Sequence, residues 1–167
     1  PDPLGVELAG AFKNVIAIAC GIADGLGFGD NTRAALITRG LVEMSRLGSA
    51  LGGRRDTFNG LAGLGDLVVT CTSGYSRNRR LGREIGSGRS LEDIVAGTPQ
   101  VAEGVNACRV AVALAKERGA SIPIMEQVHA VLFGHRDPAR AMQELRARGA
   151  RPEAEGMGPG GRPGVVE

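Results

Sequence analysis

The chain has 167 residues and a formal net charge of +2, with 43% hydrophobic and 3% aromatic residues and no tryptophan. A chain of this length buries about 70% of its unfolded surface without any covalent staple, and so small a positive charge with so few stacking rings argues against a nucleic-acid surface. Cys20, Cys71 and Cys108 are odd in number, far apart and set among apolar residues, which fits core packing in a reducing cytoplasm rather than a disulfide framework.

Apolar residues recur at helical spacing through most of the chain, and strict alternation is scarce. The expected fold class is therefore all-α, a multi-helix bundle of six to eight helices around a central apolar helix. The first helix is predicted over roughly residues 6–24 and is apolar nearly all round, the mark of an enclosed helix. It ends in the glycine-punctuated turn Gly25-Leu-Gly-Phe-Gly29. The second is predicted over roughly residues 31–51, capped by Asp30 or Asn31 and stopped by Gly52-Gly53. The stretch from Asp56 to Thr72, with three glycines shortly before Asp66, reads as short helical pieces packed tightly. Its Leu67-Val-Val-Thr70 portion has strand-like composition, but no partner strand is visible elsewhere. Ser76 and Ser90 are predicted N-caps of two short helices. Helices follow over Glu103 to Arg118 and Pro123 to Phe133, with Pro123 at a first position and Gly119 at a stop. The last starts at Asp137-Pro138 and runs to about Arg148. Residues 149–167, rich in Pro and Gly, are expected to form a flexible C-terminal tail, leaving 1–148 as the folded unit. No basic leader with an apolar core and no run of about 18 apolar residues is seen, so neither a signal peptide nor membrane insertion is expected.

Within the first helix one residue stands out. Of 20 basic residues only Lys13 and Lys116 are lysine, and Lys13 lies in the apolar run Val6-Glu-Leu-Ala-Gly-Ala-Phe-Lys-Asn-Val-Ile-Ala-Ile-Ala-Cys20. An ammonium can exchange a proton with a reacting oxygen, whereas a guanidinium stays charged near neutrality. Lys13 is therefore a candidate proton donor or polarising charge, set against the plainer reading of a lysine snorkelling from a helix edge. A carboxylate would offset the cost of burying it. Asp24 falls near the same helical face, but reads as a helix-end residue; Asp66 is the better partner if the fold brings the two together. Asn14 points about 100° away from Lys13.

A second concentration is Ser76-Arg77-Asn78-Arg79-Arg80, preceded by Thr70 and Thr72. Hydroxyls and guanidinium groups at a helix start hold phosphate well, although an arginine run is more commonly a solvated face. Gly25-x-Gly-x-Gly29 and Gly63-x-Gly65 lack the third glycine and the strand-to-helix setting of a dinucleotide fingerprint. His129 and His135 have no further ligand at metal spacing, so no metal is expected.

Four blocks in order, Gly5-Val-Glu-Leu-Ala-Gly-Ala-Phe-Lys-Asn-Val-Ile-Ala-Ile-Ala, Asp24-Gly-Leu-Gly-Phe-Gly-Asp-Asn-Thr, Gly60-Leu-Ala-Gly-Leu-Gly-Asp-Leu-Val-Val-Thr-Cys-Thr-Ser and Ser76-Arg-Asn-Arg-Arg, resemble the C-terminal domain of bacterial NAD(P)-dependent glycerol-3-phosphate dehydrogenases. The resemblance covers about residues 1–148 and implies the helical domain shared by 6-phosphogluconate dehydrogenase-like enzymes. It implies reversible reduction of dihydroxyacetone phosphate to sn-glycerol 3-phosphate with NAD or NADP, feeding phospholipid synthesis. By resemblance Lys13 is the catalytic lysine, and Asp66, Ser76, Arg77 and Asn78 join it in holding substrate. Arg77, Val101 and Glu103 match positions that touch the nicotinamide cofactor. The family's N-terminal Rossmann domain is not found in this chain, which is expected to be inactive alone and to meet a small phosphorylated substrate, with a homodimer left open. The competing readings are a non-catalytic helical phosphate-binding or interaction module, and nucleic-acid binding through Arg77 to Arg83, which would be strongly salt-dependent.

Overall fold

A computed structural model describes residues 1–97 and 102–147. These form nine α-helices and one π-helical turn, with no strand among them: α1 (Pro3–Gly25), α2 (Asp30–Ala50), α3 (Arg55–Asn59), the π-turn (Leu61–Gly65), α4 (Asp66–Thr72), α5 (Arg77–Gly86), α6 (Leu91–Ala96), α7 (Glu103–Arg118), α8 (Pro123–Phe133) and α9 (Pro138–Ala147). The nine helices exceed the six to eight predicted, and the glycine-rich stretch after Gly53 forms the short pieces expected of it: α3, the π-turn and α4. Gly60 adopts an extended conformation between α3 and the π-turn, and a new helix begins at Asp66. The Leu67-Val-Val-Thr70 segment is helical. Val101 and the tail predicted over 149–167 lie outside the described residues.

α1 is the core of the molecule. Every residue from Asn14 to Ala23 is buried, and α2, α4, α5, α7 and α8 all pack on it. By length and composition it is long and apolar enough to cross a bilayer, and 67% of its most apolar window is buried inside the protein. It starts three residues before the predicted Val6 because Pro3 occupies a first-turn position and the Asp2 side chain accepts the Gly5 N–H at 3.0 Å. α2 begins at Asp30, with Gly29 as its N-cap and no side-chain cap, so neither Asp30 nor Asn31 caps it. The Asp30 carboxylate instead accepts from Arg33 Nη1 at 2.7 Å, in a first-turn position where an acid also suits the helix dipole. Ser76 and Ser90 do cap α5 and α6, accepting the N–H groups of Arg79 and Asp93. α7 and α8 have the predicted limits, with Gly119 left-handed (φ 64°) after α7.

The most intimate packing is between α1 and α5. Gly21 and Gly25 on one helix, and Gly82 and Gly86 on the other, are each spaced by four residues. A methyl group added at any of them would fall 2.0–2.4 Å from a carbonyl oxygen on the facing helix, well inside contact distance: those of Arg79, Arg83, Ile18 and Ile22 respectively. The two backbones therefore touch directly, and this contact fixes where the Ser76-Arg77-Asn78 end of α5 stands relative to α1.

A second tie joins α2 to α8. Glu43 is 3% exposed, and its carboxylate accepts the N–H groups of Ile124 at 2.7 Å and Met125 at 3.2 Å. It thus supplies from another helix the cap that Ile122 does not provide. Burial pushes its pKa up to about 8 against the opposing pull of those two hydrogen bonds. All three cysteines are buried free thiols. The adjacent Cys20 thiol, and then burial, raise the pKa of Cys71, and burial pushes that of Cys108 up to about 12, so neither thiol is disposed to react.

Candidate functional site

The π-turn with α4 and the start of α7 meet α1 near its N-terminal half and build a cleft, with the start of α5 beside it, behind Glu103. Two elements bring the predicted site residues to this neighbourhood. The first is the π-turn leading into α4. Gly63 is buried here against the Phe58 backbone, leaving no room for a side chain, and this wide, close-packed turn delivers Asp66 to the first residue of α4. Lys13 Nζ donates to Asp66 Oδ2 across 53 residues of sequence. The lysine side chain is 19% exposed and the aspartate 43%, so the ion pair is half shielded and open on the carboxylate side. Asp24 plays no part in it. Its nearly buried carboxylate is taken by Arg33 and Arg79.

The cleft has a volume of about 480 Å³ and is lined chiefly by Val6, Glu7, Gly10, Asn14, Asp66 and Glu103. That size suits a small phosphorylated molecule or part of a cofactor. A methyl group added at Gly10 would meet nothing within 4 Å, so the glycine leaves a bare patch of helix on which a flat group can rest.

The second element is the start of α5. Ser76 caps the helix; its Oγ accepts the Arg79 N–H at 3.3 Å. Arg77, half exposed, places Nη2 3.7 Å from Glu103 Oε1, so guanidinium and cleft are linked through Glu103. Asn78 is buried, and its amide joins three helices: Nδ2 donates to Asn14 Oδ1 at 2.9 Å and Oδ1 accepts the Gly104 N–H at 2.9 Å. Asn14 in turn donates to the Gly10 carbonyl at 3.1 Å. Asn78 therefore spans α1, α5 and α7, and the Asn14 face reaches the cleft even though it turns away from Lys13.

The arginine run does not act as one cradle. Arg77 turns to Glu103 and Arg79 turns inward to Asp24, while Arg80 and Arg83 are exposed. The Thr70 and Thr72 hydroxyls, grouped with the arginines in the sequence, donate to the carbonyls of Asp66 and Val68 within α4. They are occupied because a helical threonine finds a carbonyl four residues back. Of the three cofactor-linked positions, Glu103 lines the cleft, Arg77 meets Glu103 from outside that lining, and Val101 is outside the described residues. Asn14 and Gly104 had no signal in the sequence beyond one polar residue in an apolar helix and one glycine at a helix start. Among the described residues no three His, Cys, Asp or Glu side chains cluster as a metal site.

Comparison with known proteins shows the family. The family model described as the C-terminus of NAD-dependent glycerol-3-phosphate dehydrogenase matches residues 2–143. A glycerol-3-phosphate dehydrogenase [NAD(P)+] of Desulfitobacterium hafniense is 54% identical over 155 residues, which are 93% of this chain and 44% of that protein. Another from Thioalkalivibrio sulfidiphilus is 57% identical over 152 residues, 91% of this chain and 46% of that one. The crystal structure of glycerol-3-phosphate dehydrogenase from Coxiella burnetii superposes with a TM-score of 0.85 at 49% identity, covering 87% of this chain and 45% of its own. The chain thus spans a little under half the length of the relatives it matches. With a family model covering most of its length, the chain belongs to the NAD-dependent glycerol-3-phosphate dehydrogenase family, as its C-terminal domain.

Proposed function

We propose that this chain is the substrate-holding and catalytic half of an oxidoreductase that interconverts dihydroxyacetone phosphate and sn-glycerol 3-phosphate. The observation that carries the reading is the half-shielded Lys13–Asp66 pair, whose aspartate lines a cleft that Glu103, itself paired with Arg77, lines as well. The nicotinamide of NAD or NADP, when bound, supplies or accepts the hydride at the substrate's central carbon. The bare Gly10 patch beside Glu103 and Asn14 fits such a flat ring, and Arg77 and Glu103 are the residues present that would hold it, with Val101 assigned by family likeness alone.

In reduction, the substrate oxygen gains negative charge as the carbonyl is consumed. Lys13 stands where its ammonium stabilises that charge and passes its proton to the oxygen, leaving a neutral amine to be reprotonated from solvent; oxidation runs the same transfer backward. Asp66 holds the amine in direction and balances its charge in the resting state. Arg77, at the first position of α5, offers a planar fork to the substrate phosphate where the helix dipole already favours an anion, with the Ser76 hydroxyl beside it. Asn78 sets the distance between the two ends by tying α5 to α1. The reading carries a cytoplasmic setting and a small phosphorylated partner, with no nucleic acid and no membrane insertion.

Titrating the chain with glycerol 3-phosphate and following backbone amide shifts tests the site without any cofactor. Saturable shifts are expected at Lys13, Asn14, Asp66 and Ser76 to Asn78, much weaker with glycerol. Equal responses to the two compounds, or none, would refute it.

A further inference from the structure

Between α4, which begins with Asp66, and α5, which begins with Arg77, lies the short connection Ser73 to Ser76. Its geometry decides whether the two ends of the site face one substrate. One side chain clamps it. Arg79 Nη1 donates to the Thr72 carbonyl at 2.7 Å and more weakly to that of Ser73 at 3.4 Å, at the C-terminal end of α4 where carbonyls lack helical partners and the dipole favours a cation. The other edge of the same guanidinium is held by Asp24, through Nε to Oδ2 at 2.7 Å. The second oxygen of Asp24 is held by Arg33, with Nη2 at 2.7 Å and Nε at 3.3 Å. The Asp24 side chain is 9% exposed, and those of Arg79 and Arg33 are 20% and 21%.

This chain of contacts joins the end of α1, the start of α2 and the end of α4 to the first turn of α5. Arg79 also donates its own backbone N–H to Ser76 Oγ, so the residue that braces the connection from below is bonded to the cap from within. We propose that Arg79 and Asp24 are positioning residues for the phosphate end of the site: they touch no substrate, and they hold Ser76 and Arg77 in register with the Lys13–Asp66 pair. This rests on the functional reading above. The fork geometry is essential to it, because a lysine ammonium cannot bridge a carboxylate and two carbonyls along opposite edges of one plane.

The test is calorimetric binding of glycerol 3-phosphate to the full chain, well below its thermal midpoint, for the wild type, Arg77→Ala, Arg79→Gln, Arg79→Lys and Asp24→Asn. Arg79→Gln is expected to raise Kd about 10-fold, and Arg79→Lys to recover little of that despite keeping the charge. Asp24→Asn should raise Kd as well, and the Arg79→Gln/Asp24→Asn double variant should be no weaker than Arg79→Gln alone, because the two act as one device. Amide exchange at Gly74 to Arg77 should quicken in the same variants. A residue that merely supports the fold would lower the midpoint and leave Kd of the folded protein unchanged. Arg79→Gln binding like the wild type, or full rescue by Arg79→Lys, overturns the positioning role while the phosphate site stands. If the wild type fails to bind, or Arg77→Ala binds as well as it does, the phosphate site itself is wrong and the proposal falls with it. Should Arg79→Gln fail to fold, Arg79→Lys and Asp24→Asn carry the same readout.

Discussion

Replacing Glu43 by glutamine tests the tie between α2 and α8 through its pH dependence. In the folded chain the Glu43 pKa is pushed from 4.5 to about 8, mainly by burial, so the folded state binds this proton more tightly than the unfolded state does. The favourable contribution is complete below the unfolded value and is lost as pH rises through the folded one. The interval is about 3.5 pH units, which at about 1.36 kcal/mol per unit is a total on the order of 5 kcal/mol, lost mostly between about pH 5 and about pH 8. Glu43→Gln is neutral throughout and removes that slope. It also turns an NH₂ group toward one of the two N–H donors of Ile124 and Met125, costing about 1–3 kcal/mol at the acidic end. The wild type should therefore be the more stable of the two near pH 5, and the gap should close or reverse near pH 8. Urea unfolding of both proteins, followed by far-UV circular dichroism across that range, measures the difference directly, and the other titrating groups cancel in the subtraction. A difference that stays constant, or that grows in favour of the wild type as pH rises, would show that Glu43 is ionised throughout, and the reasoning would be wrong.

Lys13→Arg keeps the charge opposite Asp66 but cannot hand over a proton; with this chain placed behind the N-terminal half of a relative, kcat should fall about 100-fold or more, and near-normal turnover would remove Lys13 from proton transfer. Asn78→Ala strips partners from the buried Gly104 N–H and Asn14 amide, and a loss of about 2–3 kcal/mol in denaturant unfolding is expected; an unchanged midpoint would mean the amide bridge is dispensable. Gly21→Ala gains about 1 kcal/mol of helix propensity, yet it forces a methyl into the facing Arg79 carbonyl, which costs about 1–3 kcal/mol or more. Thermal melting should therefore show a net loss, and a raised midpoint would contradict the backbone contact between α1 and α5.

The parts of the fold legible in the sequence are those governed by local chemistry. α7 and α8 have their predicted limits because a capping turn, Pro123 at the first position and Gly119 at the stop act within a few residues. The Lys13–Asp66 contact was legible for a different reason. A single ammonium in an apolar helix needs a carboxylate, and few candidates exist outside the charged helix faces. What stayed hidden depends on distant neighbours. The stretch from Asp56 to Thr72 reads as short pieces, but the π-turn within it, where Gly63 packs on the Phe58 backbone, is announced by no local preference. The arginines from Arg77 to Arg83 look alike in sequence and are told apart only by which carboxylate each finds, Glu103 for Arg77 and Asp24 for Arg79. Asn78 reads as a polar group at a helix start, and only the closeness of α1 and α7 makes it a bridge. Glu43, one acid in an otherwise ordinary amphipathic helix, caps a helix 80 residues away in sequence, a relation that spacing cannot encode.

The four glycines at the crossing of α1 and α5 carry a consequence for the precision of the whole. Where helices meet through side chains, their separation can breathe as rotamers change; here main chain rests on main chain, and there is no rotamer to change. The span from the amine on one helix to the guanidinium on the other is thus gauged by a spacer of fixed thickness. Loops and surface residues can drift through many substitutions without altering that span, whereas a single added carbon at the crossing would lengthen it.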